Sequence, residues 1–126
     1  MKIVSMSMND DLFEEIESIK KDLSFRGRSE ILRQGISLIR EEARHLEKLK
    51  GHVDCVMMIM HANAERDILK LLHKNERIIT TQLHSKLCND KCLEIFVLHG
   101  PSDKIRELYN NLKVKKKLDF IKLVVP

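Results

Sequence analysis

Residues 2–8, KIVSMSM, alternate in side-chain character from one position to the next. This period of two predicts a short strand with one buried side. The buried side holds Val4, Met6 and Met8, and the other side holds Ile3, Ser5 and Ser7.

Two stretches of apolar residues at helical spacing follow this strand. Asn9 or Asp10 is placed to cap the first helix, and the segment SFRGR (24–28) interrupts the pattern. Ser29 is placed to cap a second helix, which is predicted to run to the natural stop at Gly51. Residues 1–50 are therefore predicted to form a strand, helix, helix module.

After Gly51 the pattern changes to an alternation of strands and helices. Strands are predicted at 53–60, 77–84, 92–100 and 118–125, and helices at 63–75 and 101–112. The order βαββαβ is that of a ferredoxin-like domain, in which two helices cover one face of a four-stranded antiparallel sheet. The fold class is α+β, with domains at 1–50 and 51–126.

Composition and charge exclude only a few classes of function. The apolar runs CVMMIM and IFVL are far shorter than a membrane helix, and the N-terminus has no signal-peptide block, so we expect a cytoplasmic protein without a membrane partner. Three cysteines without an export signal indicate reduced thiols. The net charge is +4, but residues 1–50 hold 10 basic and 10 acidic side chains. Charge alone therefore does not predict DNA binding.

The lone N-terminal strand gives a stronger indication. A single strand leaves its backbone hydrogen-bonding groups unpaired, so we expect two copies to pair their strands into an antiparallel ribbon. Such a ribbon fits the DNA major groove, where Ser5 and Ser7 of each copy would face the bases. Arg26 and Arg28, at the start of the second helix, would face phosphates.

The segments MKIVSMSMNDDLFEEIESI (1–19) and RGRSEILRQGI (26–36) resemble the ribbon-helix-helix module of CopG-type transcriptional regulators. In that family the strand reads bases and the RSE turn holds the DNA backbone. Close relatives place a basic residue where this chain has Ile3, so the operator sequence is not carried over. The resemblance implies a DNA-binding surface made of Ile3, Ser5, Ser7, Arg26, Arg28 and Ser29.

With the βαββαβ domain added, the whole chain resembles the nickel-responsive repressor family NikR, whose second domain is of the ferredoxin-like (ACT) type. The resemblance implies a homotetramer, a dimer of dimers, that binds a double-stranded DNA operator when nickel occupies the tetramer interface. A second ion site between the modules is known in the family. Glu30 matches one of its acidic residues, but Gln34 stands where an aspartate is expected, so that site is not carried over.

The segment TQLHSKLCNDKCLEI (81–95) carries the family's metal-binding pattern with one departure. By this resemblance the metal ligands are His84, Cys92 and, from the partner subunit, His73. Lys86 stands where the family has a further histidine. The residues themselves predict a hairpin centred near Cys88, which would set His84 directly opposite Cys92 with Cβ atoms roughly 4.5–5.5 Å apart.

The fourth ligand is left open, because an ammonium group is not a metal donor. Cys88 could complete a two-sulfur, two-nitrogen set, which suits zinc as readily as nickel. Water or a backbone amide could instead complete a weaker nickel site, or Lys86 could replace the metal's charge so that no ion binds. Imidazole with thiolate also suits copper, and cobalt is a further alternative.

The remaining candidates have simpler interpretations. Glu94 shares a strand face with Cys92, and it could either hydrogen-bond a ligating imidazole or be a solvated carboxylate. Cys55 is predicted to be a core residue. We interpret the other histidines as surface or domain-junction residues: His45, His52, His61 and His99.

The sequence contains no enzyme motif. The four glycines are not clustered into a phosphate loop, and neither a G-x-S-x-G elbow nor an H-E-x-x-H pair is present. The rival functions are a metal-independent repressor whose ACT-type domain binds a small molecule, and an antitoxin. A folded second half argues against the antitoxin, because antitoxins of this kind usually carry a disordered tail.

Overall fold

The computed structural model describes residues 1–63 and 65–126. They form two compact units, residues 1–41 and residues 42–126, and the division falls within a helix. Among the described residues, no helix combines the length and the apolar character needed to cross a membrane.

Both helices predicted for residues 1–50 are present. Helix α1 spans Asp10–Asp22, and the side chain of Asn9 caps it by accepting a 2.9 Å hydrogen bond from the Leu12 amide. Ser24, in the left-handed region at φ 57°, reverses the chain after α1. These observations confirm the predicted cap and the break at SFRGR.

Helix α2 differs from its prediction at both ends. It spans Arg28–Glu47, so Ser29 lies inside the helix and is not its cap. The Glu30 carboxylate accepts a 2.7 Å hydrogen bond from the Arg26 amide, so an acidic side chain within the first turn satisfies a backbone donor at this end. The helix ends four residues before Gly51, which adopts φ 63° in the following turn.

The predicted strand at residues 2–8 is not formed in the single chain. Residues 1–9 have no regular secondary structure, and Val4, on the side predicted to be buried, is 87% exposed. A strand needs a neighbour for its backbone groups, and one chain alone provides none here. Apolar residues of α2 are also exposed, among them Ile36 and Ile39. The pairing of two copies therefore remains a prediction.

The second unit is a four-stranded antiparallel sheet with two helices and a short 3-10 helix at Glu76–Ile78. The strand order is β2-β3-β1-β4, which confirms the predicted ferredoxin-like arrangement. The elements are β1 His52–Ala62, α3 Arg66–Lys74, β2 Ile79–Lys86, β3 Lys91–Pro101, α4 Ser102–Lys113 and β4 Leu118–Val124.

Helix α3 begins later than predicted. Its N-cap is Glu65, whereas Asn63 turns towards the β2–β3 loop, where its amide donates to the Asp90 carbonyl oxygen at 3.1 Å. The predicted start of the helix at Asn63 is therefore wrong, because the backbone of that residue bonds to the β2–β3 loop instead. Ala64, which the predicted helix included, lies outside the described residues.

The two faces of the sheet differ. On one face, Met57, Ile59 and Phe96 are fully buried in the core with Ile68 of α3 and Leu108 of α4. The opposite face is mainly apolar but half-buried or exposed, and we call it the open face. It also carries His52, Asp54, His99 and Lys122, and its apolar residues are Val56, Met58, Met60, Leu83, Leu93, Ile95, Val97, Phe120 and Val124.

Gly100 allows close packing at one end of the sheet. A Cβ atom at this position would lie 2.8 Å from Cγ2 of Ile78. We expect Gly100→Ala to lower the free energy of unfolding by about 1–3 kcal/mol, because overpacking displaces neighbouring atoms. Urea denaturation followed by the fluorescence of Tyr109, the single tyrosine, measures this in the second unit.

Two variants serve as controls for this prediction. Gly35 has open space around its Cβ position within α2, so Gly35→Ala should not destabilise the protein. Ile78→Ala removes the clashing methyl group, so the double variant should lose less stability than the sum of the single changes. A Gly100→Ala protein as stable as wild type would contradict the packing argument.

Candidate functional site

The β2–β3 hairpin sets the relation between the predicted ligands. The Leu87 amide donates to the Lys91 carbonyl oxygen at 2.7 Å, and Asp90 takes a left-handed conformation at φ 60°. This three-residue loop is centred on residue 89, one position later than predicted. The pairs are therefore His84 with Glu94 and Lys86 with Cys92.

The predicted direct opposition of His84 and Cys92 is therefore wrong. They are diagonal neighbours on the same face of adjacent strands, a relation in which long side chains still reach one another. Lys86, the departure from the family pattern, lies directly opposite Cys92.

Glu94 is the centre of a buried hydrogen-bond network. Its side chain is 1% exposed, and its Oε2 lies 2.7 Å from Nε2 of His61, which is equally buried. Its Oε1 accepts a 2.9 Å hydrogen bond from Nε2 of the Gln82 side chain and lies 3.2 Å from Nδ1 of His84. The predicted contact between Glu94 and an imidazole is present.

His61 is not the surface or junction residue that we expected. Its Nδ1 lies 2.7 Å from the Ala62 carbonyl oxygen, which can only accept, so this nitrogen carries a proton. The 2.7 Å contact between Nε2 of His61 and Oε2 of Glu94 then needs a second proton between the two atoms. With that proton shared, the buried His61–Glu94 pair carries no net charge. The strand period contains the missed signal, because Met57, Ile59 and His61 share one face of β1.

The contact with Glu94 orients His84. A carboxylate on Nδ1 fixes the ring proton there and leaves the lone pair of Nε2 free. The His84 side chain is 49% exposed, so this nitrogen remains accessible. In this orientation Nε2 of His84 is the ring nitrogen with a lone pair to donate.

The three cysteines occupy different environments. Cys92 is buried, and its thiol lies 3.6 Å from Oδ1 of Asn63. Cys88 is exposed in the hairpin loop. Cys55 lies in the core as predicted, and burial raises the pKa of its thiol to about 11. Cys55 is therefore an unreactive core residue.

His73 lies apart from the other predicted ligands. It is in the last turn of α3, its side chain is 84% exposed, and its nearest charged partner is Glu76 at 3.4 Å. Across the described part of one chain, no three His, Cys, Asp or Glu side chains converge on a point that could hold a metal ion.

The residues of one chain nevertheless fit part of a soft-metal centre. Nε2 of His84 and the thiol of Cys92 are nitrogen and sulfur donors, which nickel, copper and zinc accept. They are carried by neighbouring strands of a rigid sheet and face the same side. Lys86, as an ammonium group, has no lone pair to add.

The predicted DNA-binding residues lie in the first unit. Ile3, Ser5 and Ser7 are exposed in the segment without regular structure. The guanidinium of Arg28 forms a 2.6 Å ion pair with Glu17 and lies 4.6 Å from the Phe13 ring centroid, so it is held by neighbouring side chains.

A concave surface surrounds the start of α2. It is lined by Lys20, Arg26, Arg28, Ser29 and Arg33, among others. Four cationic side chains beside a helix N-terminus suit an anion such as a phosphate. Glu30 also lines it, but one of its carboxylate oxygens is engaged by the Arg26 amide.

The sheet order and the placement of the helices define a ferredoxin-like α+β domain. The family described as NikR C terminal nickel binding domain matches residues 51–125. The chain therefore belongs to the nickel-responsive regulator family, as the sequence resemblance indicated. Because this is a family of regulators, the chain is not an enzyme.

Individual relatives agree with this assignment. A protein of Halobacterium salinarum, provisionally named nickel-responsive regulator, is 30% identical over 92% of this chain and 84% of its own length. A Methanococcus maripaludis protein with the same provisional name is 26% identical over 99% of this chain and 92% of its own length.

A solved structure shares the fold. It is an uncharacterized protein from Thermotoga maritima, with a TM-score of 0.54 and 19% identity, and the match covers 59% of this chain and 96% of that one. At this identity the likeness concerns the fold alone.

Proposed function

We propose that this protein is a DNA-binding transcriptional repressor whose affinity for its operator rises when nickel binds to the second unit. The observation that carries the proposal is the placement of His84 and Cys92 on one face of adjacent strands, with Glu94 orienting His84. Family membership supports nickel as the ion.

A complete nickel centre would be shared between subunits. His84 and Cys92 would contribute from one chain, and His73 of the partner subunit would add a second imidazole. The fourth position would fall to Cys88, which is exposed in the adjoining loop, or to water. The exposure of His73 supports this arrangement, because an exposed helix end is available to another chain.

The open face supports a homotetramer, a dimer of dimers. A sheet covered on one side only leaves its other apolar side to be buried by another surface. Leu83 and Phe120 are 54% and 41% exposed there, which is unfavourable in an isolated chain. A second copy of the sheet would cover them.

DNA binding is assigned to pairs of the first unit. Two copies would pair residues 2–8 into a ribbon, bury Val4 and Met6, and present Ser5 and Ser7 to the bases. The cationic surface at the start of α2 would hold the phosphates.

The two sites would be coupled through the assembly. When residues of two subunits are tied through one ion, the tetramer loses conformational freedom, and its two DNA-binding pairs are held at a fixed spacing. Coupling of this kind is reciprocal, so operator DNA would also raise the affinity for nickel.

Selection from a random DNA pool tests the proposal. Nickel-loaded protein should enrich a sequence with two spaced half-sites, and fluorescence anisotropy should show that affinity for it falls when nickel is chelated. Failure to enrich any sequence would refute sequence-specific binding. Equal affinity with and without nickel would refute the nickel response.

Ser5→Ala is expected to weaken binding to the selected operator by about tenfold, because a lost base contact costs roughly 1–3 kcal/mol. Binding to arbitrary DNA should change little, since phosphate contacts supply it. Anisotropy titrations on both DNAs measure the difference. Ser18→Ala, in α1, is the matched control, and equal losses on both DNAs for Ser5→Ala would argue against the ribbon as the reader.

A second candidate function is favoured by the position of Lys86. Because Lys86 lies directly opposite Cys92, its positive charge could stand in for the ion. The protein would then be a repressor that has lost nickel sensing and responds to another metal or to a small molecule through its ACT-type domain.

A further inference from the structure

Two histidines and an aspartate lie together at the end of the sheet where β1 begins, and we call them the His52–His99 cluster. Asp54 and His99 are direct partners in the β1–β3 ladder, with Oδ1 of Asp54 2.7 Å from Nδ1 of His99. The rings of His52 and His99 are 6.4 Å apart, centroid to centroid, and tilted by 51°. All three side chains are exposed.

Strand geometry brings the three residues together. His52 and Asp54 are two apart on β1 and point to the same face, and pairing with Asp54 puts His99 on that face too. It is the open face, whereas His84 and Cys92 share the opposite face with the buried core. The cluster is therefore separate from the candidate nickel site.

The cluster has the chemistry of a metal site. The Asp54 carboxylate accepts the Nδ1 proton of His99, which leaves the Nε2 lone pair of His99 free. His52 supplies a second imidazole beside it. Imidazoles supported by a carboxylate are ligands that zinc and similar divalent transition ions accept.

The spacing requires only a small adjustment. With metal–nitrogen bonds of about 2.0–2.1 Å, two imidazoles on a tetrahedral ion have ring centroids about 5 Å apart. The observed 6.4 Å separation is closed by side-chain rotation, which exposed residues at a strand end can make. Within the described part of the chain, these side chains do not converge on a single point.

We propose that His52 and His99 bind a divalent transition-metal ion of the zinc type at this second site, with Asp54 as the positioning residue for His99. Water completes the coordination, and the cluster lies at the end of the open face where β1 begins, away from Leu83 and Phe120, which the proposed second copy would cover. This proposal does not depend on nickel binding at His84 and Cys92.

Zinc titration by calorimetry tests this site in untagged, full-length protein. The background is the His84→Ala/Cys92→Ser variant, in which the candidate nickel site is broken. One zinc ion per chain is expected to bind. Adding His52→Ala or His99→Ala should abolish that binding, whereas His73→Ala, which removes an exposed histidine elsewhere, should leave it unchanged.

Asp54→Asn tests the positioning role separately. It should weaken zinc binding by about 10- to 100-fold, because the partner that fixes the His99 tautomer is lost. Circular dichroism melting confirms that each variant is folded. The proposal is overturned if the background variant binds no zinc, if binding survives both histidine changes, or if Asp54→Asn binds as tightly as its parent.

Discussion

Cys92→Ser is expected to abolish the nickel dependence of operator binding while leaving weak, salt-sensitive binding to any DNA. The thiol is the proposed sulfur ligand, and serine keeps its shape but not its affinity for soft metals. We expect nickel affinity to fall by more than about 100-fold, since removing even a group that only orients a ligand costs roughly 10–100-fold. Anisotropy titrations with nickel and with a chelator measure the effect on DNA binding.

Cys88→Ser is the matched control for this change. If water fills the fourth position, Cys88→Ser will behave as wild type, and if Cys88 is a ligand, it will lose part of the nickel affinity. Cys92 is buried, so thermal melting must show that Cys92→Ser remains folded. Nickel dependence that persists in folded Cys92→Ser would show that the assigned centre is wrong.

Glu94→Ala is expected to lower the free energy of unfolding by about 3–5 kcal/mol, the range found when one partner of a buried ion pair is removed. The truncation leaves Nε2 of His61 without its partner in a fully buried position. It also removes the acceptor of the Gln82 side chain. Urea denaturation followed by Tyr109 fluorescence reports on the unit that contains this network.

Glu94→Gln separates charge from shape. The glutamine side chain keeps the volume of the glutamate and can still form hydrogen bonds. Glu94→Gln should therefore lower the free energy of unfolding by less than Glu94→Ala does. The double variant His61→Ala/Glu94→Ala should lose less than the sum of the single variants, because the two side chains share one interaction. A Glu94→Ala protein whose free energy of unfolding lies within about 1 kcal/mol of the wild-type value would contradict this account of the network.

Local patterns were sufficient to predict most of the fold. The nearly continuous apolar run VDCVMMIM and the helical spacing in PSDKIRELYNNL correspond to β1 and α4, because each element buries one face against the same core. The strand at 2–8 has an equally regular pattern but is absent from the single chain, because its backbone partner would belong to another copy.

The candidate site was less predictable, since it depends on register. A shift of one residue in the hairpin centre, from Cys88 to Asn89, replaces His84 by Lys86 as the partner of Cys92. The sequence ND at 89–90 contained a signal for this turn, because asparagine and aspartate tolerate the left-handed conformation that Asp90 adopts. The partners His99 and Asp54 are 45 positions apart, and only the β1–β3 pairing brings them together.

The most direct test of the central claim is a nickel titration of the reduced wild-type protein, followed by ultraviolet thiolate-to-nickel absorption and run beside Lys86→His. The account predicts that wild type binds nickel with this absorption and that Lys86→His, with a further imidazole beside Cys92, binds it more tightly. If wild type does not bind nickel and Lys86→His does, then Lys86 prevents nickel binding at this centre. Nickel is then not the signal that this protein senses.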